Sequence, residues 1–163
     1  MEPEFVRYLA SVVPGTIRRL EDRYQIDHTN GDISTLWLKE KTVIAPVSLQ
    51  NLHLIFDEFD GADLFSSTFK VASLNTSRAL NGVEITPTLT ELSNLVNTEP
   101  SLVSQRGVPF MAEAGIWLYL FDPASLMIHK WNIEDHEACD SYASIQSIVE
   151  EWVKVVFPCR SQS

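Results

Sequence analysis

Residue types that build many active sites are scarce in this chain. Cysteine occurs only twice in 163 residues, at Cys139 and Cys159, without CxxC or Cys/His spacing. That pattern argues against a thiolate zinc site and suits reduced thiols in a cytoplasmic protein, while a bridge between the two stays open. Basic residues are also few: 12 Lys and Arg stand against 22 Asp and Glu, for a net charge of −10. Nucleic acid and anionic membrane both demand basic patches, so neither is expected as a partner. The longest uncharged apolar run is far too short to cross a bilayer, and Met1-Glu2-Pro3-Glu4 lacks the basic start and apolar core of a secretory signal. No GxSxG, HExxH or phosphate-cradling glycine loop is present, and no cofactor is implied.

What is there is ordinary globular composition, 45% hydrophobic with 21% charged, which argues against disorder. The length fits one domain spanning 1–163. An acidic domain of this kind steers association with a basic protein, although solubility alone explains such a charge equally well.

The chain is organised around VPFMAEAGIWLYLFDPASLMIHKW, Val108 to Trp131. Three apolar runs rich in aromatics are separated by Ala112–Gly115 and by Asp122-Pro123-Ala124-Ser125, the pattern of an antiparallel meander. The run from Ile116 to Phe121 is apolar at every position, so it is expected in mid-sheet with both faces covered. Ile145, Ile148, Val149, Trp152 and Val156 form one stripe of a closing helix, capped by Ser144 or Ser141 and ended by Pro158. The fold class is therefore α+β: a central antiparallel meander sheet covered by amphipathic helices, with the C-terminal helix packed on the sheet.

Elsewhere, Phe5 to Val13 is an apolar segment ending at the Pro14-Gly15 turn signal. Thr16 is placed to cap a helix carrying Ile17, Leu20 and Tyr24. Ile33–Leu38 and Thr42–Ala45 are expected to pair as a hairpin. Ser48 is expected to cap a helix bearing Leu49, Leu52, Ile55, Phe56 and Phe59, with Gly61 turning the chain out into a strand-like run over Leu64 to Leu74. Thr88-x-x-Glu91 reads as a capping box opening a helix with Leu89, Leu92, Leu95 and Val96, followed by a polar linker from Asn97 to Gly107.

Chemistry-bearing residues fall in two acidic clusters and four histidines. Asp57, Glu58, Asp60 and Asp63 look like a calcium loop but lack the alternate oxygen ligands and distant Glu of an EF-hand. Acids at a helix C-terminus are disfavoured by ~0.3–1 kcal/mol each, a hint that this cluster serves something besides stability. Glu134, Asp135, Glu137 and Asp140 precede the last helix, where acids suit the positive dipole end. His28, His53, His129 and His136 show no metal-ligand spacing. A small hydrolase would require His129 or His136 to meet Asp122 in a pocket.

The stretch IFDEFDGADLFSSTFKVASL, a helix running through an aromatic-acidic-Gly turn into a strand, resembles the central signature of the SUKH superfamily. The later strands led by Val108-Pro109-Phe110-Met111 and ending at Phe121-Asp122 and Trp131, the acidic His loop and the terminal helix also resemble that family. The likeness covers Ser48 to Val156, and it departs from the family at Ala45-Pro46-Val47-Ser48-Leu49, where Leu-Pro-x-x-Tyr is usual. It implies a non-enzymatic protein-binding domain. Many such proteins are immunity proteins that neutralise a secreted toxin, often a basic nuclease, by occluding its active site. Others are regulatory or adaptor domains that bind a self protein. The partner-binding residues so implied are Asp57, Glu58, Asp60 and Asp63, then Glu134, Asp135 and Glu137, with Trp37 as an exposed aromatic anchor.

Overall fold

The computed structural model describes residues 2–95, 107–135 and 137–157. His136, Val96, Pro158, Cys159 and nearly all of the 97–107 linker lie outside the described residues.

Nine strands form one sheet in which every neighbouring pair is antiparallel. The strands are β1 (Gly15–Arg19), β2 (Arg23–His28), β3 (Ile33–Leu38), β4 (Phe59–Leu64), β5 (Phe69–Val71), β8 (Val108–Glu113), β9 (Trp117–Asp122), β10 (Met127–Asn132) and β11 (Glu137–Tyr142), in that spatial order. A separate two-strand ribbon, β6 (Ala79–Leu80) and β7 (Val83–Glu84), turns at Asn81-Gly82. Both turn residues have positive φ (53° and 78°), which the twist of a two-residue hairpin requires and Asn-Gly supplies at least cost. Helices α1 (Glu4–Val12), α2 (His53–Phe56), α3 (Leu89–Asn94) and α4 (Ile145–Val156) complete the chain. No helix among the described residues is long and apolar enough to cross a membrane.

The three apolar runs of the 108–131 stretch become β8, β9 and β10. β9 shows why its run carries no charge: Tyr119 and Phe121 belong to the larger core with α1 and α4, while Leu118 and Leu120 belong to a smaller core with Leu92 and Trp131. Successive side chains on a strand face opposite ways, so two cores need an apolar residue at each position. The C-terminal helix buries Ile145, Ile148 and Val149, and the Ser144 side chain accepts a hydrogen bond from Ser147 N–H as its N-cap. Ser141 instead stands on β11. The capping box also forms, with Thr88 Oγ1 accepting from Glu91 N–H at 3.1 Å and Glu91 Oε1 accepting from Thr88 N–H at 3.3 Å. Leu92 is buried behind it, whereas Leu95 is half exposed.

Four local expectations are corrected. Thr16–Tyr24 is not a helix but part of the β1–β2 hairpin, in which Ile17 faces Ile26 and Arg18 Nε meets Asp27 Oδ2 at 2.9 Å. The hairpin packs under α1, so one half-buried side is enough for this charge-rich segment. Thr42–Ala45 makes no strand beside β3, because β2 and β4 already flank it. The helix expected from Leu49 to Phe59 shrinks to a 3-10 turn at Val47–Leu49 and the four residues of α2, with no side-chain cap from Ser48. Phe59 leaves the helix to pair with Leu38, and Gly61 lies inside β4. The run from Leu64 to Leu74 is broken by a turn at Phe65–Ser67 before the short β5.

Candidate functional site

The first acidic cluster separates into two pairs with different fates. Asp57 and Glu58 are exposed beyond α2, and Asp57 lies 3.3 Å from His53 Nδ1. Glu4 joins them around a small cleft at the N-terminal end of α1, a grouping that sequence distance concealed. Asp60 and Asp63, by contrast, point into the protein and are 3% and 9% exposed. Asp60 accepts from Leu74 N–H and pairs with Arg78 Nη2 at 3.2 Å. Asp63 accepts from Ser67 N–H and Ser67 Oγ, and burial raises its pKa. Their place on β4, buried along its whole length, corrects the reading of a four-carboxylate surface. Trp37 is corrected likewise: β3 buries it to 2% exposure, so it is core and no surface anchor.

The second cluster stays on the surface. Asn132 Oδ1 accepts from the N–H groups of Glu134 (2.9 Å) and Asp135 (3.0 Å), fixing the turn that presents both carboxylates. Glu137 and Asp140 are exposed on β11, which is one edge of the sheet. None of these four acids is ion-paired among the described residues.

A β-bulge decides which way Asp140 points. Trp131 faces Ala138 and Lys130 faces Asp140, leaving Cys139 as the extra residue. Without the bulge, Ala138 and Asp140 would share a face. With it, Ala138 packs on the smaller core while Asp140 turns to the α4 side of the sheet.

There Asp140 joins a cleft of about 220 Å³ between the sheet and α4, with Glu113, Tyr119, Lys130, Tyr142, Glu151 and Trp152 on its walls. Tyr119 donates its hydroxyl to Glu113 Oε1, and Lys130 Nζ lies 3.6 Å from the same oxygen. The ammonium also sits 4.5 Å from the Trp117 ring centre and 5.8 Å from that of Tyr119, a cation–π arrangement. Tyr142 donates to Glu151 Oε2. Burial raises the pKa of both phenols, and the hydrogen bonds to Glu113 and Glu151 raise them further. Both hydroxyls therefore stay protonated at neutral pH and serve as fixed donors to the carboxylates.

Sequence reading missed Glu113, Lys130 and Tyr142. The signal for the first two was a single acidic or basic residue in a largely apolar run, Glu113 on β8 and Lys130 beside Trp131 on β10; Tyr142, on the polar β11, gave none.

His28 and His129 take structural posts. His28 is buried, its Nδ1 2.7 Å from the Val13 carbonyl and its Nε2 2.8 Å from Ser34 Oγ. His129 Nδ1 lies 2.8 Å from Ser141 Oγ. Asp122 accepts from Ala124 N–H and Ser125 Oγ, closing the β9–β10 turn, and those two bonds hold its carboxyl below the usual range. Among the described residues, no three His, Cys, Asp or Glu side chains converge as metal ligands do. No protein-family model, curated protein or solved structure matches the chain.

Proposed function

We propose that this chain is a non-enzymatic binding domain that recognises a basic protein through the acidic β10–β11 end of its sheet. The observation that carries the reading is the exposed rank of Glu134, Asp135 and Glu137, three carboxylates on one hairpin with no cation paired to them among the described residues. Like charges held this close repel one another, and a basic surface relieves that repulsion on binding. Together with the resemblance of Ser48–Val156 to the SUKH superfamily, this favours an immunity protein. In that role the hairpin would cover the cationic substrate cleft of a secreted toxin, such as a nuclease. Asp57 and Glu58 form a second, smaller acidic surface beyond α2, beside Glu4. Asp60, Asp63 and Trp37 contribute to folding instead.

The test uses two baits against cell extract and secreted proteins of the native organism. One is the intact chain and the other carries Glu134→Gln, Asp135→Asn and Glu137→Gln. A basic protein with a toxic domain, held by the first bait, lost by the second and released by moderate salt, supports the reading. Retention of the same proteins by both baits contradicts it, and retention of housekeeping proteins points to an adaptor role.

A further inference from the structure

We infer that the cleft between the sheet and α4 is a socket for one arginine side chain of the protein partner, an inference that rests on the binding reading above and specifies its chemistry. Three carboxylates, Glu113, Asp140 and Glu151, line the cleft against one ammonium, Lys130. That ammonium is already committed to Glu113. The two phenols are spent as well, Tyr119 on Glu113 and Tyr142 on Glu151. Glu151 Oε1 and both Asp140 oxygens accept no hydrogen bond from the described residues. The cleft thus has room for a second positively charged donor, facing Asp140 and Glu151.

Its walls narrow the choice of donor. Phe69, Tyr119, Tyr142 and Trp152 line the cleft together with Asp140 and Glu151, so aromatic side chains flank the open carboxylates. Lys130 Nζ, 5.8 Å from the ring centre of Tyr119, shows that one ring of the cleft already accepts a cation. A guanidinium is planar, donor-only, weakly hydrated and able to stack, whereas an ammonium is compact and strongly hydrated. A volume of about 220 Å³ lies below the usual range for small-molecule sites and suits a single side chain. The β-bulge at Cys139 gains a purpose here, since it carries Asp140 to the cleft side of the sheet.

The experiment is a ¹H–¹⁵N NMR titration of the full chain at low salt with Nα-acetyl-arginine-N-methylamide. The matching citrulline derivative, its neutral isostere, runs in parallel. Saturable shifts of the Trp152 indole and of the amides of Lys130, Asp140 and Tyr142 are expected, with a Kd of about 1–10 mM. The citrulline compound should bind roughly tenfold more weakly or not at all, and the Asp140→Asn/Glu151→Gln variant should weaken arginine binding by about tenfold. Both substituted side chains are exposed, so the fold tolerates the change. Equal shifts from citrulline, or arginine shifts confined to the Glu134–Asp135 turn and unaltered in the double variant, overturn the socket. The hairpin reading survives that result, because it depends on Glu134, Asp135 and Glu137. Conversely, equal retention of partners by both baits removes the hairpin reading while a saturable arginine site leaves the socket standing.

Discussion

Arg78 reaches back eighteen residues to clasp Asp60 at two points, its Nε donating to the Asp60 carbonyl at 2.9 Å and its Nη2 to Oδ2 at 3.2 Å. With Leu74 N–H donating to the other carboxylate oxygen, the pair ties the excursion that carries β6 and β7 onto β4. Gly61 lets that excursion approach. Its φ is +95°, and a Cβ there would lie 3.1–3.2 Å from Arg78 Cγ, Ser73 Cβ and Thr86 Oγ1. The Asp60-Gly61 pair is thus a folding device, and the acidity of Asp60 serves Arg78.

The stability consequences are direct. Asp60→Ala strands a half-buried guanidinium and an amide, and should cost about 2–4 kcal/mol. Gly61→Ala adds left-handed strain and crowding, for about 1–3 kcal/mol. Asp57→Asn and Glu58→Gln, both exposed, should stay within about 0.5 kcal/mol. Urea denaturation of the four variants checks the contrast, and a costly Asp57→Asn would show that the acidic cluster acts as one unit.

His28 makes stability depend on pH. Burial lowers its pKa, against a smaller opposing pull from the Val13 carbonyl and the Asp32 and Asp27 carboxylates. The folded state therefore binds a proton less readily than the unfolded state. Its contribution is fully present above the ordinary histidine value of about 6.5 and is lost as pH falls from there toward the depressed folded value. Thermal unfolding of the native chain should drop between about pH 7.5 and 5. His28→Gln should start lower and show a flatter profile over that window. A parallel profile in the variant would assign the slope to other groups.

Cys139 reports on the edge strand. Burial pushes its thiol up, and the charges of Glu137 and Asp140 push it further. A raised thiol is less ionised near pH 8 and alkylates slowly. In a Cys159→Ser background, iodoacetamide should modify Cys139 slower than a free peptide thiol, and Glu137→Gln/Asp140→Asn should speed the reaction. An unchanged rate would mean that the acidic field at the edge does not reach the sulfur.

The two well-capped helices allow a simpler check. Ser144→Ala removes the acceptor for Ser147 N–H, and Thr88→Ala removes one half of the capping box. Each should lower stability by about 1 kcal/mol in denaturant titrations.

What could be read from residues alone follows from how local each determinant is. β8, β9 and β10 are legible because their apolar runs are separated by turn residues, and α4 because Ile145, Ile148 and Val149 share one helical face behind Ser144. The β1–β2 hairpin is misread because Ile17, Leu20 and Tyr24 fit a three-and-four spacing as well as they fit one side of a ribbon. Only the pairing of Ile17 with Ile26 settles it. Asp60 looked like surface because its partner Arg78 is distant in sequence, and Trp37 because nothing nearby shows that β3 lies between two strands. The cleft was hidden for the same reason: Glu113, Lys130, Tyr142 and Glu151 come from four elements, and Asp140 reaches it only through a bulge.

The most direct test of the binding account is calorimetric titration of the basic partner recovered with the intact bait, against three forms of the chain and at two salt concentrations. The native chain and the Asp57→Asn/Glu58→Gln variant should bind alike, with affinity falling as salt rises. Glu134→Gln/Asp135→Asn/Glu137→Gln should lose at least about tenfold in affinity and much of its salt dependence. Equal affinity for the hairpin variant and the native chain would contradict the claim that the β10–β11 carboxylates form the recognition surface.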